Sequence, residues 1–281
     1  MPEKFDFLVR ICGYTHGTDV WLGNAETLIA EQGFKLKDCI CCRDDIMNYL
    51  ISMGVEPKLS FTIMEAVRKG KKLKPEWEVV MREHNLPECY IESCNKIGYL
   101  FPKAHAAAYV VMALRIAWFK VHRPLAYYGS WFTIKAKENS FDVAAMLSGD
   151  AALLESLAAA YEKAHEAKAT ATDKELVRTL EIAHEFLKRG FKFLPVDLFE
   201  SDAHSFLLVP EENALRMPFR AVTGLGASAA ASIVRERERG PFASMEEMRQ
   251  RCSGVSETII KELSRLGALG DMPESSQATL F

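Results

Sequence analysis

The chain has 281 residues, of which 49% are apolar and 26% charged, and its formal net charge is −3. These values are typical of a globular protein long enough for two modest cores, and they argue against a protein that coats nucleic acid over its whole surface. The best candidate for a membrane span, residues 104–121, is interrupted by His105, Arg115 and Lys120, and no signal peptide is recognisable, so we expect a cytoplasmic protein without a membrane partner.

Four helices are predicted in the first hundred residues from apolar side chains three and four positions apart. Gly54 and Gly70 follow two of them, where glycine suits the left-handed backbone of a helix end. The other two begin with prolines, which suit a first helical turn. The predicted helices are residues 44–53, 59–67, 75–82 and 87–96.

No metal site is predicted. Asp44 and Asp45 would point about 100° apart on a helix, so they cannot clamp two metal ions together, and we interpret them as helix-start charges. The cysteines form neither a disulfide framework nor two facing pairs of zinc ligands, and we expect reduced thiols. They are Cys12, Cys39, Cys41, Cys42, Cys89, Cys94 and Cys252.

The charge distribution is uneven. Residues 93–137 contain no Asp or Glu but seven Lys or Arg, and residues 68–74 add five more cations. A stretch of one sign with interspersed aromatic residues is typical of a surface that faces a polyanion. The alternative is a solvated face whose aromatic residues belong to the core.

The clearest predicted helix begins at Pro102 and ends at His122-Arg123-Pro124. Its first turn contains Lys103 and His105, followed by alanines that leave room for a ligand. Because a helix N-terminus favours anions, this turn outlines a phosphate site. Each side chain alone is more often an ordinary surface lysine or a core histidine. Further along the helix, an apolar face is formed by Val110, Leu114, Ala117 and Val121.

The next segments predict a helical brace and then a small domain. Residues 151–171 and 174–188 have helical patterns, and the character of the sequence changes at Gly190. Residues 191–194 and 205–209 are short β-like runs bounded by prolines.

A second chemical signal is AVTGLGASAAASIV at residues 221–234. A glycine-hydrophobic-glycine turn before a helix is the helix-hairpin-helix pattern, in which bare N–H groups contact a DNA phosphate without reading the base sequence. Residues 253–263 repeat it in degenerate form, and Arg235, Arg237 and Arg239 follow the first hairpin on its helix. The predicted DNA-binding residues are Gly224, Leu225, Gly226, Ala227, Gly254 and Ser256.

The last five residues, QATLF, follow a polar, turn-rich stretch, so we expect this tail to be unanchored. Burial of Leu280 and Phe281 would contribute about 3–6 kcal/mol, which suits a weak docking peptide that tethers something already held elsewhere. The alternative is a frayed terminus.

Four segments resemble one family. YLFPKAHAAAY (99–109) and KVHRPLAYY (120–128) closely resemble the fingers of family C replicative DNA polymerases, of the PolC type of low-GC Gram-positive bacteria. LVRICGYTHGTDVW (8–21) and CRDDIM (42–47) resemble the same family in the expected order. The resemblance runs from Phe5 to Phe281, although Cys12 and Tyr14 stand where we expect Ser and Leu, and Ala278-Thr279 separate the tail anchors.

The resemblance implies a set of partners and sites. Primer-template DNA, a deoxynucleoside triphosphate, the sliding clamp and the rest of the polymerase and replisome would be the partners. The hairpins would grip duplex DNA behind the primer end. The residues near the nucleotide or template would be Arg10, His16, Lys103 and His105, and those that bind the clamp would be Gln277, Leu280 and Phe281.

The resemblance also implies what this chain lacks. In the family, magnesium ions bind carboxylates of a palm domain, which does not occur in this sequence, and neither do the exonuclease and PHP domains. We therefore expect DNA-directed DNA polymerase (nucleotidyltransferase) activity only as part of a full polymerase, with no catalytic residue and no cofactor in this chain. The chain is interpreted as a C-terminal fragment that is inactive alone.

The predicted fold is mainly α (α+β). Polymerase fingers occupy residues 1–137, a helical connecting segment 138–190, a duplex-binding helix-hairpin-helix domain 191–271 and a flexible clamp-binding tail 272–281. The competing hypothesis is a stand-alone, non-enzymatic DNA-binding adaptor tethered to a clamp, which would not need the nucleotide-site features of the first hundred residues. A helical scaffold with an incidental basic surface explains neither the tail nor the hairpins.

Overall fold

The computed structural model describes residues 4–136 and 140–275 and divides the chain into two compact units, Met1–Ala117 and Trp118–Phe281. Helices dominate both units, and the described residues form one small three-stranded sheet. The prediction of a mainly α fold is confirmed. The boundary between the units falls inside helix Lys103–His122, whereas the sequence predicts the end of the fingers at residue 137.

The first unit is a group of helices around one apolar core, whose fully buried members include Ile46, Leu50, Ile63 and Met81. The four helices predicted in this part are present, with ends that differ by no more than two residues. The helices are α1 (Phe5–His16), α2 (Glu26–Gln32), α3 (Arg43–Ser52), α4 (Pro57–Arg68), α5 (Pro75–Glu83), α6 (Glu88–Lys96) and the first part of α7 (Lys103–His122).

Gly54 and Gly70 follow α3 and α4 as predicted, with φ angles of 91° and 72°. Gly70 also lies against another glycine, because a Cβ placed on Gly70 would be 2.3 Å from the carbonyl oxygen of Gly98. Close by, the N–H of Leu100 donates to the carbonyl oxygen of Arg68 at 3.2 Å. These contacts fix the basic loop after α4 against the segment that enters α7.

Helix α7 has little contact with a core. Only Ala106 and Val110 are buried, in a small cluster with Val9 of α1, and residues 111–119 are all exposed. Among the described residues it is the one helix long and apolar enough to cross a membrane, with a mean hydropathy of 1.3 over its best 18 residues. A helix covered by other protein passes the same test, and Arg115 at its centre would cost about 2.5–3.5 kcal/mol in a bilayer.

The second unit has one continuous core that extends from Tyr128 to Leu269. The predicted connecting segment and the predicted DNA-binding domain therefore share their apolar interior. Helices α10 and α11 pack as a hairpin, and the side chain of Thr170 caps the start of α11. The helices are α8 (Pro124–Ile134), α9 (Val143–Ser148), α10 (Asp150–His165), α11 (Ala171–Lys188), α12 (Ala227–Arg239), α13 (Met245–Arg251) and α14 (Glu257–Arg265).

The sheet contains the two predicted β runs and a third strand that was not predicted. Its strands are β1 (Lys192–Leu194), β2 (Leu207–Val209) and β3 (Ala214–Arg216), in the order β1-β3-β2. Leu215 of β3 is paired with Phe193 of parallel β1 and Leu208 of antiparallel β2. Gly129 of α8 approaches Leu208 and Leu215 closely, so the sheet rests on α8.

Candidate nucleotide and DNA interface

Two adjacent aspartates organise the helix starts next to the candidate phosphate site. The backbone N–H of Lys103, at the start of α7, donates to Asp44 Oδ2 at 2.6 Å. Asp45 Oδ2 accepts the N–H groups of Cys41 at 3.0 Å and Cys42 at 3.3 Å, at the start of α3. Both residues thus act as helix-start charges, as the sequence predicts, and Asp44 links α3 to the first turn of α7.

Asp6 brings two of the predicted nucleotide-site residues together. Its Oδ1 lies 3.1 Å from Lys103 Nζ, and its Oδ2 lies 3.3 Å from Arg10 Nε. The hydrogen bond from Lys103 is the main cause that lowers the pKa of Asp6, and the same bond raises the pKa of Lys103. Two cations thus share one carboxylate at the start of α7, and an incoming phosphate would have to compete with Asp6.

The other two predicted residues join a row of aromatic rings in the first unit. Ring centroids are 5.9 Å apart for His16 and Tyr109, 4.6 Å for Tyr109 and His105, and 4.8 Å for His105 and Phe101. Phe101 in turn lies 5.0 Å from Tyr99. His16 and His105 thus both contact Tyr109, whose side chain is exposed.

A second cationic group surrounds Glu65. Arg43, Arg68 and Lys69 lie 3.2, 2.8 and 3.4 Å from its carboxylate oxygens. The hydrogen bond from Arg68 is the main cause that lowers the pKa of Glu65 to about 2. Sequence reasoning noted the basic run that contains Arg68 and Lys69 but missed Arg43 as part of the group. The signal that could have found Arg43 is its place in the CRDDIM segment.

Cys41, Cys42 and Asp45 offer three ligand atoms within 4.8 Å of one another, which is close enough to hold a metal ion. The surrounding charge opposes a cation at this point. Arg10 Nη1 lies 3.6 Å from Asp45 Oδ2 and 3.7 Å from Cys41 Sγ. The pKa of the Cys41 thiol is raised, first by its hydrogen bond with Cys42 and then by burial, which favours the protonated thiol over the thiolate that binds metals.

The first hairpin has the geometry that backbone contact with a phosphate requires. Gly224 has a φ of 82°, and neither Gly224 nor Gly226 has another atom within 4 Å of where a Cβ would be. Gly226 is the N-cap of α12 and provides no side-chain cap. The first N–H groups of α12 therefore lie beside two glycines that leave open space. The side chain of Leu225, between these glycines, is buried in the core.

The second hairpin packs on the first. Gly254 has a φ of 80°, and a Cβ there would be 3.2 Å from the Cβ of Ala229 in α12. The N–H of Ser253 donates to Ser232 Oγ at 2.8 Å. Ser256 Oγ accepts the N–H of Ile259 at 3.3 Å and thereby caps α14, so this predicted DNA-binding side chain is engaged in the helix.

The three arginines of α12 have different surroundings. Arg235 and Arg239 are exposed and pair with Glu236 at 3.2 and 2.9 Å. Arg237 Nη1 instead donates to the carbonyl oxygens of Leu198 at 2.8 Å and Ser201 at 2.6 Å. Arg237 therefore holds a loop in place, whereas Arg235 and Arg239 remain candidates for contact with phosphate.

The predicted clamp-binding residues Gln277, Leu280 and Phe281 lie outside the described residues. The residues just before them contact α13. The N–H of Met245 donates to the carbonyl oxygen of Pro273 at 2.9 Å, and the N–H of Glu246 donates to that of Glu274 at 3.1 Å. The segment that leads to the tail is thus held along the start of α13.

Two family models match the chain, one in each compact unit. Residues 1–85 match the finger domain of the bacterial DNA polymerase III alpha subunit, and residues 190–280 match a helix-hairpin-helix motif. The first unit thus contains polymerase finger sequence, and the second contains a DNA-binding hairpin module.

Relatives extend this similarity to the whole chain. DNA polymerases III of the PolC type from Thermotoga maritima, Halalkalibacterium halodurans and Bacillus subtilis are 51%, 49% and 48% identical to it over 280 residues. The match covers 100% of this chain but only 19–20% of each relative. The whole chain is therefore similar to one part of PolC-type DNA polymerase III, and the predicted resemblance is confirmed.

Proposed function

We propose that this chain is the fingers and duplex-binding part of a cytoplasmic replicative DNA polymerase of the PolC type. Lys103 and Arg10 receive the triphosphate of the incoming deoxynucleotide, and His16 and His105 lie beside the nucleotide or the template. The observation that supports this assignment is the carboxylate of Asp6 between Lys103 and Arg10. It brings the two cations together beside the first turn of α7, and a helix N-terminus stabilises anions.

The chain contributes binding and positioning in this proposal. Cations that neutralise a triphosphate hold it in the geometry needed for attack by the primer end, and they cost no reorganisation during the reaction. Magnesium supplies the Lewis-acid chemistry of phosphoryl transfer when it is bound to carboxylates of the palm elsewhere in the polymerase. The two hairpins hold duplex DNA through backbone N–H groups, and the residues at the end of the chain tether the sliding clamp.

The nucleotide assignment is tested by Lys103→Ala in a complete PolC-type polymerase that carries this segment. Loss of one charge-assisted contact of about 1.5–3 kcal/mol should lower kcat/KM for the nucleotide by about 10- to 100-fold. Primer extension at steady state measures this, and Lys58→Ala, a change of an exposed lysine at the start of α4, is the matched control. If Lys103→Ala and Lys58→Ala have the same kcat/KM for the nucleotide, Lys103 is not part of the nucleotide site, as the adaptor hypothesis requires.

The hairpin assignment is tested by Gly224→Val combined with Gly226→Val. The valine side chains should block the approach of a phosphate and weaken duplex binding by about tenfold, with a smaller salt dependence. Gly190→Val is the matched control, because Gly190 has a φ of 84° and open space around it, like Gly224 at 82°. If both proteins bind duplex DNA equally, the hairpin is structural.

The clamp assignment is tested by deletion of residues 277–281 in the same polymerase. Processivity in the presence of the clamp should fall to the level seen without it. Duplex affinity without the clamp should stay unchanged, because the hairpins remain intact.

A further inference from the structure

A cavity of about 550 Å³ opens in the first unit and shares Arg10 with the proposed nucleotide site. Its lining includes Leu28, Phe34, Tyr49 and Tyr90 together with Arg10. Small-molecule sites usually combine apolar and aromatic walls with a few converging polar groups, and this cavity has that composition.

Arg10 is the least exposed charged group of the lining, and its bonds are long. Its side chain is only 14% exposed, yet its contacts with Asp6, Cys39 O, Asp45 and Cys41 Sγ are 3.3, 3.5, 3.6 and 3.7 Å long. A good bond between a guanidinium and a carboxylate is about 2.7–2.9 Å long. Asp45 cannot approach further without loss of its bonds to the N–H groups that it caps, so Arg10 remains a largely buried cation with weak partners.

Tyr90 provides a second, independent indication. Its hydroxyl group is buried and has no hydrogen-bond partner within residues 4–136 and 140–275. A buried polar group without a partner costs about 1–3 kcal/mol, so such groups are normally satisfied. The ring of Tyr90 lies 4.7 Å from that of Tyr49, and the two rings form an aromatic wall within the lining.

We propose that this cavity binds a flat aromatic molecule that carries one carboxylate. The carboxylate accepts two parallel hydrogen bonds from the guanidinium of Arg10, which supplies the short contacts that Arg10 lacks. The aromatic ring lies among Phe34, Tyr49 and Tyr90. Asp38 and Asp45 balance Lys37 and Arg10 in the lining, so the preference for a carboxylate depends on the hydrogen bonds of Arg10 rather than on net charge.

The first test is calorimetric titration of the chain with 2-naphthoate, compared with 2-naphthalenemethanol, which has the same ring without the charge. We expect 2-naphthoate to bind at least tenfold more tightly, and we expect Arg10→Gln to remove that difference. Arg82→Gln is the control, because Arg82 is an exposed arginine of the same unit that does not line the cavity. Unchanged preference for 2-naphthoate in Arg10→Gln, or an equal loss in Arg82→Gln, overturns the proposal.

Two further measurements locate the ligand and do not depend on the stability of Arg10→Gln. Asn48 is exposed in the lining of the cavity, so Asn48→Trp should fill it from outside and abolish binding, whereas Asn48→Ala should not.

Cys89 lines the cavity and Cys12 does not, although both are half-buried. Bound 2-naphthoate should slow alkylation of Cys89 severalfold and leave Cys12 unchanged, and equal protection of both thiols overturns the site. None of these assays contains a nucleotide, so their outcome is independent of the role of Lys103.

Discussion

Arg237 provides a sharp test, because its sequence pattern indicates a DNA contact and its structure indicates a loop anchor. The substitution Arg237→Met removes the bonds to the carbonyl oxygens of Leu198 and Ser201 and keeps most of the aliphatic packing. A hydrogen bond to a charged group contributes about 1.5–3 kcal/mol, and since the side chain is only half-buried we expect a total loss of about 2–4 kcal/mol. For a unit of this size each kcal/mol lowers Tm by about 2–4 °C, so calorimetry should show a decrease of about 4–16 °C.

The matched controls are Arg235→Met and Arg239→Met on the same helix. Their side chains are 56% and 67% exposed, so each change should alter the free energy of unfolding by about 1 kcal/mol or less. Each should instead weaken duplex binding and reduce its salt dependence. If Arg237→Met melts like the wild type but binds duplex DNA as weakly as Arg235→Met, the assignment of Arg237 to the loop is wrong.

Three more predictions concern the first unit and α7. Gly70→Ala should destabilise the protein by about 2–4 kcal/mol in urea unfolding, because the new Cβ would clash with Gly98 and the backbone would be strained. The control is Gly33→Ala, where φ is 71° and the space is open, and this change should cost only about 1–2 kcal/mol. Equal costs for the two variants would exclude the clash. The pKa of Glu65 is lowered from 4.5 to about 2, so its contribution to stability is fully present above pH 4.5 and is lost as the pH falls toward 2. In Glu65→Gln the free energy of unfolding should depend less on pH in that window. An unchanged pH dependence would contradict this. Leu114 is exposed on α7, so Leu114→Gln should change stability in urea unfolding by no more than about 0.5 kcal/mol, whereas a large destabilisation would show that Leu114 packs within the chain.

Local signals in the sequence predicted the helices well. Proline at the start of α5 and α6 and glycine after α3 and α4 act within a few residues of where they stand. The same holds for the Gly224 turn, whose positive φ follows from its place before α12. Features of this kind need no knowledge of distant parts of the chain.

Features that depend on distant partners could not be read in this way. Strand β3 is only three residues long and is defined by its pairing with β1 and β2. The bond from Arg237 to Leu198 spans 39 positions, and the contact of Asp6 with Lys103 spans most of the first unit. No spacing rule links such residues, because only tertiary packing brings them together.

Residues 93–137, the stretch without acidic residues, show both a local signal and the effect of distant partners. Read alone, its cations indicated a surface for a polyanion, but carboxylates from elsewhere pair with two of them, Lys103 and Lys120. Glu185 of α11 lies 2.6 Å from Lys120 Nζ, just as Asp6 lies against Lys103. Lys120 therefore belongs to the packing of the second unit, whereas Lys103 stands at an open helix start beside the aromatic row.

The remainder of α7 requires a different kind of partner. Its middle turns are apolar and exposed on all sides, and a helix of that composition is normally covered by other protein or by lipid. Arg115 among these turns makes burial in lipid costly, so a protein surface is the better cover for Val111, Leu114 and Ile116. The stretch thus divides at about Val110 into a first turn suited to a phosphate and a following segment suited to an apolar protein surface.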